Sequence, residues 1–161
     1  MSDLKKQLQN LNVSKLKMKN GNTVEKELKR HAAILADCIM EELNNVYSSY
    51  SPKVYERSYG LYNSLYIDEG VHLDIGSHGT GLSIGLHFDD GAMHDSFTGG
   101  KVNTAILLNE GWQTHGSFSH VPYLGYREGT HFIEKGIMKY KRIVSNPFTI
   151  RFMINNEERI F

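Results

Sequence analysis

Cysteine and proline are scarce in this sequence, and long apolar runs are absent from it. The single cysteine, Cys38, has no partner for an internal disulfide, so a packed core rather than covalent cross-links must stabilise the chain. No apolar stretch approaches the roughly 20 residues that a membrane-spanning helix needs. The N-terminal residues alternate lysine with single leucines, unlike the apolar region of a secretory signal. We therefore expect a protein that is made in a reducing cytoplasm and does not associate with a membrane.

Net charge is also absent, because 18 Lys and Arg residues balance 18 Asp and Glu residues. A neutral total argues against general affinity for nucleic acid, which depends on cations brought to the phosphates. The charges are nevertheless segregated, with net values of +5 over 1–30, −8 over 31–100 and +3 over 101–161. This segregation indicates either incidental variation of the surface or a subunit whose positive face meets the negative face of an identical neighbour.

Two stretches of the sequence have a helical period. Apolar residues recur every three or four positions over 24–46, which predicts a helix of about seven turns that begins at an Asn22 or Thr23 cap. A second stretch predicts a helix that begins at a Thr130 cap and is stopped by the Asn-Pro pair at 146–147. The length of 161 residues and the 40% of hydrophobic residues fit one globular domain around these helices.

Elsewhere the apolar period falls to two, which is typical of strands. Strands are predicted over 61–67, 71–75, 82–88 and 148–154, and a helical turn or short strand over 102–112. The predicted fold class is α+β, with the long N-terminal helix and the second, C-terminal helix packed on a mainly antiparallel sheet of about four strands.

An N-terminal arm is predicted over residues 1–21, before a single α+β domain over 22–161. Leu4, Leu8 and Leu11 lie on one helical stripe of this arm. The stripe indicates a short helix or a segment that becomes ordered against a partner.

Two histidines and an aspartate suggest one metal chemistry. His87 and Asp89 lie two residues apart, and His120 or His131 would supply the third ligand of a non-haem iron site. About four strands are too few for the two sheets of that enzyme fold, so a polar strand face and a solvated turn are the preferred interpretation. Since neither a nucleophile elbow nor a phosphate-binding glycine loop is present, we predict no catalytic, cofactor-binding or metal-binding residues.

Six tyrosines crowd into residues 47–66. They would either cover the sheet with their hydroxyls in water or form an interface, for which tyrosine offers a large contact area at low entropy cost. We favour the interface. A host-directed binding module that uses this loop as its contact surface is accordingly a further alternative to an enzyme.

Three segments, 50–65, 105–111 and 127–133, resemble the tail-completion or neck proteins of long-tailed phages. The first is similar to the stretch Y-x-R-T-G-x-L-x-x-S of that family, the second to Y-A-x-x-V-E-x-G and the third to R-P-F-L-x-x-A. Two departures stand out. Ser58 and Tyr59 occupy the positions where the family has Thr and Gly, and no proline precedes Phe132.

The resemblance implies a virion structural protein of the neck or tail, assembled in the host cytoplasm, that is not an enzyme and needs no cofactor. Its partners would be copies of itself in a homo-oligomeric ring, the neighbouring connector or stopper, and the tail terminator or tail tube proteins. DNA would pass through the ring only as cargo. Sealing the head and completing the tail both fit. The residues predicted at interfaces are Tyr50, Tyr55, Arg57, Tyr59, Tyr62, Glu110, Trp112 and Arg127.

Overall fold

The computed structural model describes residues 16–49, 60–76, 79–95, 99–113, 126–145, 148–154 and 157–161. Its helices are α1 (Val24–Ser48), α2 (Gly60–Asn63), α3 (Thr104–Glu110) and α4 (Phe132–Ile143), with a 3-10 turn at Asp90–Ala92. Its strands are β1 (Leu65–Ile67), β2 (His72–Gly76), β3 (Gly79–Ser83), β4 (Leu86–Phe88), β5 (Met93–Asp95), β6 (Lys101–Asn103), β7 (Gly111–Gln113), β8 (Tyr126–Glu128), β9 (Arg151–Ile154) and β10 (Glu157–Ile160).

Helix α1 confirms the longest predicted element. Thr23 is its N-cap, and the Thr23 hydroxyl accepts a hydrogen bond from the Lys26 N–H at 3.2 Å. Asn22, the other predicted cap, instead donates from its side-chain amide to Glu27. The acidic Glu25 and Glu27 in the first turn complement the positive end of the helix dipole.

Helix α4 is present, but its predicted start at Thr130 is wrong by one residue. The N-cap is His131, which has a left-handed backbone with φ of 51° and makes no side-chain cap hydrogen bond. The Thr130 hydroxyl donates to the Leu108 carbonyl at 2.8 Å instead. Thr130 therefore ties the start of α4 to α3 rather than capping it. The Asn-Pro pair at 146–147, predicted to stop this helix, lies outside the described residues.

The strands of the described ranges form five antiparallel pairs: β1–β4, β2–β3, β5–β6, β7–β8 and β9–β10. The α+β class is confirmed, and the sheets are small, with two strands each in place of one sheet of about four. One reason is that the strand predicted over 82–88 is interrupted at Gly85. The Gly85 N–H donates to the Asp68 carboxylate at 3.0 Å and not to a neighbouring strand.

The core lies between α1 and α4. Leu43, Phe132 and Ile137 are at most 2% exposed, and Phe132 extends the core through an edge-to-face contact with Phe88 of β4. Further buried members are Ile39, Leu61, Ala92, Ala105, Leu108 and Ile133. The two helices approach closely at Gly136, where an added Cβ would lie 2.7 Å from the Cα of Ile39. Cys38 is also buried, on α1.

Candidate functional site

An ion-pair network joins the predicted interface residue Glu110 to two distant elements. The Arg159 guanidinium on β10 binds both carboxylate oxygens of Glu110, at 3.1 and 2.8 Å, and one oxygen of Glu134 on α4, at 2.7 Å. The hydrogen bond from Arg159 lowers the pKa of Glu110 and, reciprocally, raises the pKa of Arg159. This network fixes the C-terminal hairpin against α3 and α4.

Asn109, which is fully buried beside Glu110, holds the start of α4 in place. Its side-chain oxygen accepts from the Ile133 N–H at 3.0 Å, and its backbone carbonyl accepts from the His131 N–H at 3.0 Å. Its side-chain amide donates to Glu110 at 2.8 Å. The segments 105–111 and 127–133, singled out from the sequence, therefore meet at one place.

Glu110, His131 and Glu134 form a possible metal-ligand set, because one ligand atom from each lies within 4.8 Å of the others. The Arg159 guanidinium already binds three of the four carboxylate oxygens. The fourth, Oε2 of Glu134, is buried and has no hydrogen-bond partner within the described ranges. Since a cation would have to displace Arg159 and its positive charge, the set is better suited to an internal ion pair than to a metal.

The residues of the considered iron site do not assemble in the described part of the chain. His87 lies 3.1 Å from Asp68, a residue that the sequence did not single out, and His72 lies 3.3 Å from the same carboxylate. Asp89 accepts from the Gly91 N–H at 2.7 Å and so closes the turn after β4. His131 belongs to the Glu110 set described above, and His120 lies outside the described residues.

Asp68 links β1 to β4 and to the start of β2. Burial alone would raise its pKa, but the His87 hydrogen bond and charge, the Gly85 N–H and the His72 charge together lower the pKa of Asp68. Both histidines are well exposed, so this carboxylate and its partners form a wet surface cluster. The contacts of Asp68 with His72, Gly85 and His87 link the short strands β1, β2 and β4.

A groove of about 500 Å³ opens between the helix pair and the strands, and the sequence did not reveal it. Apolar side chains of α1, α4, β3, β4 and β9 make most of its wall. They include Leu28, Leu35, Leu82, Leu86, Ile137 and Phe152. The available signal was the apolar stripe on α1, which contributes Leu28, Leu35 and Ile39 to the groove wall.

His31 and Tyr140 place a polar pair on the wall of this groove. The His31 Nδ1 is hydrogen-bonded to the Tyr140 hydroxyl, and its Nε2 lies 2.8 Å from a nitrogen of Arg30. Burial, followed by the positive charge of Arg30, lowers the pKa of His31. The imidazole is therefore neutral near pH 7, which suits a largely apolar surface.

Among the other residues predicted at interfaces, Trp112 and Arg127 are brought together as paired residues of β7 and β8. The Tyr62 hydroxyl accepts from the Asn44 side chain at 3.4 Å, and the ring packs on the core. Tyr50, Tyr55, Arg57 and Tyr59 lie outside the described residues, so the tyrosine interface stays a prediction.

Several large apolar side chains are exposed on strands. Tyr66 on β1 is 48% exposed, Met153 on β9 is 59% exposed and Ile160 on β10 is 56% exposed. Met153 and Ile160 lie on the same face of the β9–β10 hairpin, opposite the face that carries Phe152 and Arg159. The outer face of the C-terminal hairpin is thus partly apolar.

Comparison of the chain with protein-family models, with curated proteins and with solved structures gives no match. Among the described residues, no helix combines the length and the apolar character that crossing a membrane requires.

Proposed function

We propose that this chain is a structural subunit of a phage head–tail connector, a neck or tail-completion protein that forms a homo-oligomeric ring around passing DNA. It would act in the virion, between a connector or stopper on one side and tail terminator or tail tube proteins on the other. The proposal rests on the resemblance of three sequence segments together with the properties of the strands.

The small size of the sheets is the observation that carries the proposal. Each sheet formed by the described residues has two strands. Isolated two-stranded ladders are marginally stable in water, and their unpaired N–H and C=O groups are templates for pairing with another chain. Such strands are expected in a subunit whose neighbours complete its sheets.

Exposed apolar side chains on these strands support the same role. Tyr66, Met153 and Ile160 each leave about half or more of their surface in water. Contacts between copies would bury this surface, and at about 25 cal/mol per Å² the gain per side chain is about 1–2 kcal/mol. Because a ring repeats each contact at every subunit, small gains add up to a stable assembly.

The second line of support is the meeting of two segments that resemble the phage family. Residues 105–111 and 127–133 are far apart in the sequence, yet the β7–β8 pairing and the hydrogen bonds of Asn109 bring them together. A shared structural role explains why both segments stand out. The site that they form binds the C-terminal hairpin through Arg159.

The alternative of a metal-dependent enzyme gains no support from the described residues. His87, Asp89 and His131 serve a surface ion pair, a turn and a helix start respectively. The host-directed module depends on the tyrosine loop and has no further observation in its favour.

Negative-stain imaging of the purified full chain tests the proposal. We expect particles with a central hole in the wild-type protein and their loss in Met153→Lys, which places a charge in the exposed hairpin face. Met138→Lys is the matched control, because Met138 is exposed to a similar degree, 54%, but lies on α4. An absence of rings in the wild-type protein would overturn the proposal, and equal loss in both variants would count against the strand faces as the contact.

A further inference from the structure

The groove between α1, α4 and the strands is large, and most of the residues that line it are apolar. Its volume of about 500 Å³ falls within the range of sites that enclose drug-sized molecules, so it has space for several aliphatic side chains. Leu35, Leu86 and Phe152, which line it, are packed against the core but remain partly exposed. An occupant with apolar side chains would remove this surface from water, which is favourable.

The described chain begins beside the first turn of α1. The Leu16 carbonyl accepts from the N–H of Val24, the first residue of α1, at 2.8 Å, and Lys17 forms an antiparallel bridge with Thr23. The next turns of α1 supply Leu28, His31 and Ala32 to the groove wall. Residues 1–15 therefore join the domain within about two helical turns of the groove.

The length and pattern of residues 1–15 fit this opening. Fifteen residues span about 22 Å as a helix and about 50 Å when extended, so in either form they are longer than the roughly two helical turns between their attachment point and the groove. Leu4, Leu8 and Leu11 recur at the spacing of an amphipathic helix. An apolar helix face laid into a hydrophobic groove is a common mode of recognition, with anchors at this spacing.

We propose that residues 1–15 of this chain dock in its own groove, with Leu4, Leu8 and Leu11 as the anchors. Docking covers the apolar wall formed by α1, α4, β3, β4 and β9 and completes the core. Docking of residues 1–15 does not require ring formation, so it can be tested independently of the connector role.

Photo-crosslinking in the full chain tests where the arm lies. The photoreactive amino acid p-benzoylphenylalanine is placed at position 8, on the leucine stripe, or at position 9, which is off the stripe. Isotopically labelled and unlabelled chains are mixed, so that mass spectrometry separates links within a chain from links between chains. We expect position 8 to link within one chain to groove residues such as Leu35 and Phe152, and position 9 to give at least about tenfold fewer such links. Links between chains, or links from position 8 to other surfaces, would overturn the proposal.

Dye binding gives a second readout. Leu8→Asp removes one anchor and places an unpaired charge in the groove, which should shift the docked-to-undocked ratio by at least about tenfold. Gln9→Asp adds the same charge outside the stripe. We expect an apolar dye that fluoresces in hydrophobic grooves to bind Leu8→Asp more strongly than wild type, and Gln9→Asp to bind it as wild type does. Equal dye binding by the two variants would show that the groove is not covered by this arm.

Discussion

Gly136→Ala probes the closest contact between the two main helices. An added Cβ would lie 2.7 Å from the Cα, 2.8 Å from Cγ1 and 2.9 Å from the N of Ile39. Two of these three atoms are backbone atoms that cannot rotate away, so α1 and α4 must separate. Overpacking costs about 1–3 kcal/mol in general, and contacts with backbone atoms place this one in the upper part of that range, at about 2–3 kcal/mol. The higher helix propensity of alanine returns about 1 kcal/mol. We expect a net loss of about 1–2 kcal/mol in the free energy of unfolding.

Thermal and urea unfolding, followed by circular dichroism, measure this loss. At about 2–4 °C per kcal/mol for a chain of this size, the expected fall in Tm is about 2–8 °C. Gly70→Ala is the control, because a Cβ at Gly70 meets nothing within 4 Å, and we expect its free energy of unfolding to stay within about 0.5 kcal/mol of wild type. A Gly136→Ala protein as stable as wild type, or more stable, would refute the close helix crossing.

Three further predictions concern charge. Arg159→Met should lower the free energy of unfolding by about 1–2 kcal/mol at pH 7, because Glu110 and Glu134 lose the guanidinium that they share. Urea unfolding measures this loss. Full recovery when Arg159→Met is combined with Glu110→Gln would show that repulsion between the two carboxylates causes the loss. Burial lowers the pKa of His31 from its ordinary value of 6.5. Its contribution to stability is therefore present above pH 6.5 and is lost as pH falls through the lowered pKa. His31→Gln should flatten the curve of unfolding free energy against pH below pH 6.5, and an unchanged curve would remove His31 as the cause. The segregated charges predict that ring assembly weakens as salt rises, and light scattering that does not change between low and high salt would count against charge-mediated contacts.

The sequence was informative where structure depends on local periodicity. The spacing of apolar residues from Val24 onwards predicted α1 almost to the residue, and Thr23 acts as one of its two proposed caps. The strand at Leu65–Ile67 falls within the predicted range 61–67, although Gly60–Asn63 is helical, and the strand at His72–Gly76 ends one residue beyond the predicted range 71–75. In each case residues that are close in the sequence determine whether the segment forms a helix or a strand, because the spacing of apolar residues sets which side chains share a face.

Contacts between distant residues could not be predicted in the same way. His31 and Tyr140 are 109 positions apart, and neither residue carries a local signal for the other. The Arg159 network likewise required the β9–β10 hairpin, whereas the sequence suggested only a single final strand. The proximity of His87 and Asp89 in the sequence was misleading, because Asp89 closes a turn while His87 pairs with Asp68.

The central claim is that this chain completes its strands and covers their exposed side chains by contact with copies of itself. Native mass measurement of the purified full chain, at several concentrations around the micromolar range, tests it most directly. We predict one closed assembly whose mass is a fixed multiple of 18.3 kDa and does not change with concentration above a threshold. A particle of 18.3 kDa at every concentration would contradict the claim.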